Sequence, residues 1–129
     1  MLNKACEQLA CLQAGFSFPK KERLKGRDEI RAVFEGRKAV SCPGARLYTL
    51  PNGLEYNRIA FTFSRKFGNA VQRNRSRRLS REAYRHLSAK LRRGFDMVLL
   101  IQPGQDSFSV RIDQLRVLFS RSGLLIARD

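Results

Sequence analysis

Residues 97–101 read Met-Val-Leu-Leu-Ile, an unbroken apolar run between Gly94 and Pro103-Gly104. A run this short, with glycine and proline at its borders, fits a strand covered on both faces, so it needs neighbouring strands and helices packed on the sheet. Patterns for those helices lie on either side. Upstream, a helix is predicted from about Asn69 to Arg92, with Gly68 before it and Gly94 after. At about 100° per residue, Leu79, Ala83, Tyr84, Leu87 and Leu91 fall in one arc, and Asn74, Arg75, Arg78, Arg81, Arg85 and Arg92 fall opposite. Arg73 sits at the flank of the apolar arc, where it can point toward the sheet. Downstream, Phe108, Ile112, Leu115, Leu118 and Phe119 predict a last helix over 107–120, ended by Gly123.

The N-terminal half supplies the remaining strands. In 58–64, Ile59, Phe61 and Phe63 share one face, predicted to pack on helices, while Ala60, Thr62 and Ser64 leave a small, polar opposite face. In 46–50, Arg46, Tyr48 and Leu50 alternate with Leu47 and Thr49, and Pro51-Asn52-Gly53 turns the chain. A further strand fits near 37–40. Ahead of these, Asp28 is predicted to cap a short helix with Ile30, Val33 and Phe34 on one face and Gly36 at its exit. Phe34 has two readings, core packing and stacking on a base. The order is that of an α/β (α+β) two-layer sandwich, one mostly antiparallel four-stranded sheet packed with about three helices. Residues 1–18 are expected to form an N-terminal extension, 19–123 the folded domain and 124–129 a tail.

Charge narrows the function. The chain has 129 residues with 26 Lys and Arg against 11 Asp and Glu, a net charge of +15. Between Arg65 and Arg93 the only acid is Glu82. Such an excess points to a polyanion, because each neutralised phosphate releases condensed counterions. Nucleic acid is favoured over a membrane surface, since neither a lipidation signal nor a helix with a broad apolar face is evident. No apolar run approaches the roughly 20 residues of a membrane span, and the expected location is the cytoplasm. Cys6, Cys11 and Cys42 are odd in number and lack paired zinc-site spacing, which fits reduced thiols.

Catalysis by the polypeptide itself is not indicated. Phosphodiester hydrolysis needs clustered carboxylates holding metals or a histidine acid and base pair. Here His86 is the sole histidine, read as a surface residue, and the acids are scattered. The positive features belong to RNA binding: an arginine-dense helix for phosphates and aromatic side chains beside an open sheet face.

The stretch Ser64-Arg65-Lys66-Phe67-Gly68-Asn69-Ala70-Val71-Gln72-Arg73-Asn74-Arg75-Ser76-Arg77-Arg78-Leu79-Ser80-Arg81-Glu82 closely resembles the signature of the bacterial RNase P protein subunit. The similarity extends through Arg23-Leu24-Lys25 and Val33-Phe34 to the strand from Phe95-Asp96 to Pro103, covering about residues 18–123. Ile30 departs from the aromatic common at that position, and Arg65 and Arg77 stand where lysine is frequent.

The resemblance implies a protein that joins a catalytic RNA to form the endonuclease removing the 5′ leader from precursor tRNA. Magnesium would be held mainly by the RNA, and no protein partner would be required. It also implies a left-handed βαβ crossover, against the usual right-handed rule. By the same resemblance, Lys66, Asn69, Arg73, Asn74, Arg75, Arg77, Arg78 and Arg81 bind the catalytic RNA. Phe34, Tyr48, Arg58, Ala60, Thr62 and Ser64 line the cleft for the leader. From the residues alone, two alternatives stay open: a basic ribosomal or RNA-assembly protein, and a protein laying the arginine helix in a DNA major groove.

Overall fold

The structure is a computed structural model and describes residues 20–126; the extension considered for residues 1–18 lies outside them. After a one-turn 3-10 segment (Lys20–Glu22) the order is α1 (Arg27–Glu35), β1 (Ala39–Cys42), β2 (Ala45–Pro51), β3 (Arg58–Phe63), α2 (Ala70–Ser88), β4 (Phe95–Ile101) and α3 (Phe108–Arg121). The strand suspected near 37–40 is therefore real, and shifted by two residues.

The sheet order is β1-β2-β4-β3. β4 lies inside it, antiparallel to β2 and parallel to β3. Its apolar run explains the position: Met97, Val98, Leu99 and Ile101 are all buried, as a strand covered on both faces demands. Because β3 and β4 are parallel neighbours, α2 is the crossover of a βαβ unit.

Alternation distributes side chains between two cores. Ala45, Leu47, Ile59, Phe61, Met97, Leu99 and Ile101 meet Ala83, Tyr84 and Leu87 of α2 and Ile112, Leu115, Leu118 and Phe119 of α3. On the opposite face, Tyr48, Leu50, Ala60 and Val98 meet Leu24 and the Ile30, Val33 and Phe34 stripe of α1. Among the described residues, helices thus lie on both faces of the sheet, the short α1 on one and the α2–α3 pair on the other. Burying each large apolar side chain is worth about 1.5–3 kcal/mol. Like-charge repulsion along a helix costs only a few tenths of a kcal/mol per pair, roughly 0.2–0.5, so packing decides that α2 folds despite its arginines.

Three expectations need correction. The cap of α1 is Gly26, not Asp28: the Glu29 side chain reaches back to accept the Gly26 N–H at 3.3 Å, which starts the helix earlier. Asp28 instead sits in the first turn, where its charge suits the helix dipole. α2 ends at Ser88 rather than near Arg92, because Lys90–Arg92 is taken by the C-terminal segment: Arg92 N donates to Leu124 O at 2.8 Å and Ile126 N to Lys90 O at 2.7 Å. Leu91 is buried through that pairing, not on a helical seam, and the packed unit continues past Gly123 to include Leu124. Lastly, Leu79 is only half-buried, while Ser76 and Ser80 are fully buried on α2.

Candidate nucleic-acid interface

The start of α2 is a local device encoded by Gly68-Asn69-x-x-Gln72. Asn69 Oδ1 accepts the Gln72 N–H at 2.9 Å, and Gln72 Oε1 accepts the Asn69 N–H at 2.9 Å. This reciprocal cap satisfies two helix-end donors and is typically worth about 1 kcal/mol. Gly68 has φ 149°, and a Cβ built on it would stand 2.1 Å from Gln72 Oε1, so the cap itself excludes a side chain there. Asn69, assigned to RNA by resemblance, thus has its side-chain oxygen directed at its own helix.

Beyond the cap the basic side chains divide. Lys66, Asn74, Arg75 and Arg78 are exposed. Arg73 turns inward, as its flank position predicted, and its Nη2 donates to the carbonyls of Ser64 and Arg65, each at 3.2 Å. It therefore ties α2 to the end of β3. Arg77 lies over the Phe63 ring, its Cζ 5.2 Å from the centroid, and donates to Asn74 Oδ1 at 3.0 Å. Arg81 is half-buried, and its guanidinium pKa is lowered first by desolvation and then by Arg23 and Arg77. Its Nε is buried with no hydrogen-bond partner among the described residues. A phosphate oxygen beside Arg81 would supply an acceptor and offset the repulsion. Arg23 belongs to a basic segment, Pro19 to Lys25, that the sequence reads as an extended arm, either along a phosphate backbone or solvated; its place near Arg81 comes from the fold, which bridges it to Ile59.

The buried serines explain how α2 is oriented. Arg111 of α3 is 1% exposed and fills the space they leave: its Nε donates to Ser80 Oγ at 2.9 Å and its Nη2 to Ser76 Oγ at 3.2 Å. The same guanidinium pairs with Asp106 and reaches Gln114. Burial lowers the pKa of Arg111 to about 10, a measure of how fully it is desolvated. Arg111 has a sequence signal: it precedes Leu115 by one helical turn on the apolar side of α3.

The other surface lies beside α1. Phe34 and Tyr48 are both half-buried and meet edge to face, with centroids 4.6 Å apart and planes at 69°. Phe34 therefore packs and remains partly accessible, so its two readings are compatible. Ala60 and Thr62 are half-buried on the same sheet face, with Thr62 Oγ1 donating to Leu99 O at 3.2 Å. Ser64 lies just past β3, its Oγ buried without a hydrogen-bond partner among the described residues.

Arg58 has a structural engagement. It forks onto Asp96 with bonds of 2.8 and 2.7 Å, and its Nη1 reaches Glu29 of α1 at 3.2 Å. Its pKa is raised chiefly by the Asp96 hydrogen bonds. Arg46 is an exposed cation two residues from Tyr48, and the alternation of β2 already placed the two on one side.

The arrangement can bind phosphates and bases. Among the described residues, no group of three His, Cys, Asp or Glu side chains could hold a metal ion. Among the same residues, no helix is long and apolar enough to cross a membrane.

Comparison with known proteins agrees with this geometry. The sequence pattern of the Ribonuclease P family matches residues 18–123. The ribonuclease P protein component of Dictyoglomus thermophilum is 32% identical over 114 residues, covering 85% of this chain and 95% of that protein. The corresponding component of Caldanaerobacter subterraneus subsp. tengcongensis is 38% identical over 78 residues, 60% of this chain and 67% of its own length. Among solved structures, the RNase P protein of Thermotoga maritima superimposes with a TM-score of 0.66 at 29% identity, covering 75% of this chain and 94% of that one. That of Staphylococcus aureus gives 0.72 at 19% identity, covering 81% and 97%, and supports the fold. The chain belongs to the Ribonuclease P family.

Proposed function

We propose that this protein is the RNA-binding subunit of the ribonucleoprotein endonuclease that removes the 5′ leader from precursor tRNA, working in the cytoplasm. The RNA subunit performs the cleavage, with magnesium held mainly by RNA. The protein screens phosphate repulsion and holds the leader, and so strengthens substrate and metal binding by the assembly. One observation carries this reading: α2 has one side locked into the fold by Arg111 while Arg75 and Arg78 stand exposed on it.

In this reading Lys66, Arg75 and Arg78 contact the catalytic RNA directly. Arg77 and Arg81 take a phosphate at the flank of the helix, and Asn69, Asn74 and Arg73 shape that surface. The leader runs over Phe34, Tyr48, Ala60, Thr62 and Ser64, with Arg58 holding α1 in place at the side. Membership of the Ribonuclease P family supports the assignment over a ribosomal or assembly role.

The test is precursor-tRNA cleavage by the cognate RNA at low magnesium, with and without the protein. Stimulation is expected, and a rate unchanged by the protein would refute the assignment.

A further inference from the structure

A groove of about 730 Å³ lies apart from both surfaces, and no residue assigned above to RNA lines it. Its borders include Lys21, Glu22, Leu54, Tyr56, Tyr84 and Arg93. The loop between β2 and β3 forms a wall that is held at both ends. Asn52 Nδ2 donates to Tyr56 O at 3.3 Å and to Asp96 Oδ1 at 2.8 Å, while its Oδ1 accepts the Leu54 N–H at 2.7 Å. Asn57, itself buried, donates to Arg92 O at 2.8 Å and accepts the Phe95 N–H at 2.9 Å. Lys21 Nζ sits 4.9 Å from the centroid of the Tyr56 ring. A wall fixed in this way loses little entropy when a ligand enters.

The chemistry of the lining differs from the rest of this basic protein. Lys21 and Arg93 stand beside Glu22 and Glu55, so the groove joins cations to acceptors rather than forming a continuous basic tract. Glu22 is half-buried, and desolvation raises its carboxyl above the ordinary value although Lys21 and Arg93 act the other way. Its carboxylate takes no hydrogen bond or ion pair from the described residues. A carboxylate is an acceptor only, so a ligand that covers this half-buried group must bring donors in place of water. A group with paired N–H donors would match this acceptor, and an anionic group joined to it would meet Lys21 and Arg93.

We propose that this groove binds a guanine nucleotide, with the N1–H and N2–H edge of the base donating to the Glu22 carboxylate and the phosphate lying toward Lys21 and Arg93. Guanine presents two adjacent N–H donors on that edge. Adenine and cytosine place a ring acceptor beside their amino group, which repels a carboxylate. The planar base lies between Tyr56 and the end of α2 at Ser88 and Ala89. The same chemistry is offered by a free guanine nucleotide and by an unpaired guanosine in RNA. Because the groove is separate from the α2 and α1 surfaces, this inference does not rest on the leader-processing reading.

The experiment titrates the ¹⁵N-labelled full chain with GMP, AMP and CMP, following the backbone amides of Leu54, Tyr56 and Arg93. GMP is expected to bind at least about tenfold more tightly than AMP or CMP, the discrimination of one good bidentate contact. Glu22→Gln, checked for folding by circular dichroism, is expected to abolish that preference. Arg93→Ser is expected to weaken all three nucleotides alike. A parallel arm compares the trinucleotides UGU and UAU. If GMP gives no shift but UGU moves the same amides more than UAU, and Glu22→Gln removes the difference, the occupant is a guanosine within RNA. Equal binding of GMP and AMP, a guanine preference that survives Glu22→Gln, or no response to either GMP or UGU overturns the proposal.

Discussion

Arg111 of α3 donates through Nε to Ser80 Oγ of α2 at 2.9 Å, and both side chains are buried. This bond and its neighbour at Ser76 join the helix that carries the arginines to α3, which packs along it. Arg111→Ala leaves Ser80 without its partner and Ser76 and Asp106 with only each other, and a broken buried network of this kind costs about 3–5 kcal/mol. Equilibrium urea unfolding measures it. A loss below about 1 kcal/mol, the scale of an exposed ion pair, would show that the network contributes no more than a surface contact.

The division among the arginines predicts different defects. The double variant Arg75→Ser, Arg78→Ser removes exposed cations, so it is expected to leave the unfolding midpoint unchanged while lowering the salt slope of RNA binding by roughly one phosphate per arginine. Arg73→Ala instead loses the bonds to Ser64 and Arg65 carbonyls. It is expected to lower stability by about 1 kcal/mol, with a smaller change in slope. The two results together, from salt-dependent filter binding and urea titration, distinguish RNA contact from fold support. Equal slopes for wild type and the double variant would remove Arg75 and Arg78 from the interface.

Tyr48 is half-buried against Phe34 and still open to the sheet face. Tyr48→Ala is expected to weaken binding of leader-bearing precursor by about 1–3 kcal/mol, the worth of one stacked base, with little effect on mature tRNA. Measured affinities for both RNAs decide it, and equal losses would make Tyr48 a core residue alone.

Tyr84 supplies a pH prediction. Its hydroxyl is buried at the foot of α2, and desolvation, followed by Glu22, raises its pKa well above the ordinary value near about 10. Between those two values the unfolded chain releases the phenolic proton and the folded chain keeps it. The folded state therefore binds more protons there, and stability falls as pH rises. The contribution is complete below about pH 10 and is lost on the alkaline side. Tyr84→Phe, which cannot ionise, is expected to flatten the decline in melting temperature above that pH. An identical alkaline limb in the variant would show that another group governs it.

Much of the molecule was legible because its signals are local. The five apolar side chains from Met97 to Ile101 required a covered strand, and β4 is that strand. Gly68 and Asn69 marked the start of α2 through a cap made within one turn. Alternation separated Tyr48 from Leu47 on β2 and Ala60 from Phe61 on β3, as found. The signature around Arg73 and Arg75 identified the family, because it records a whole surface in consecutive residues.

What only the tertiary structure decided depends on partners distant in sequence. A helical wheel ranks Ser76 and Ser80 as polar and Leu79 as core, but Arg111, contributed by α3, makes the serines the better side chains to bury. The same wheel extends α2 to Arg92, whereas Leu124 and Ile126 compete for the backbone of Lys90–Arg92 and end it sooner. Arg58 looked like a cation awaiting RNA until Asp96 and Glu29 were found on either side of it. Periodicity determines which face a residue takes on its own element. Whether that face meets solvent, an acid or another helix is set by contacts the local sequence does not contain.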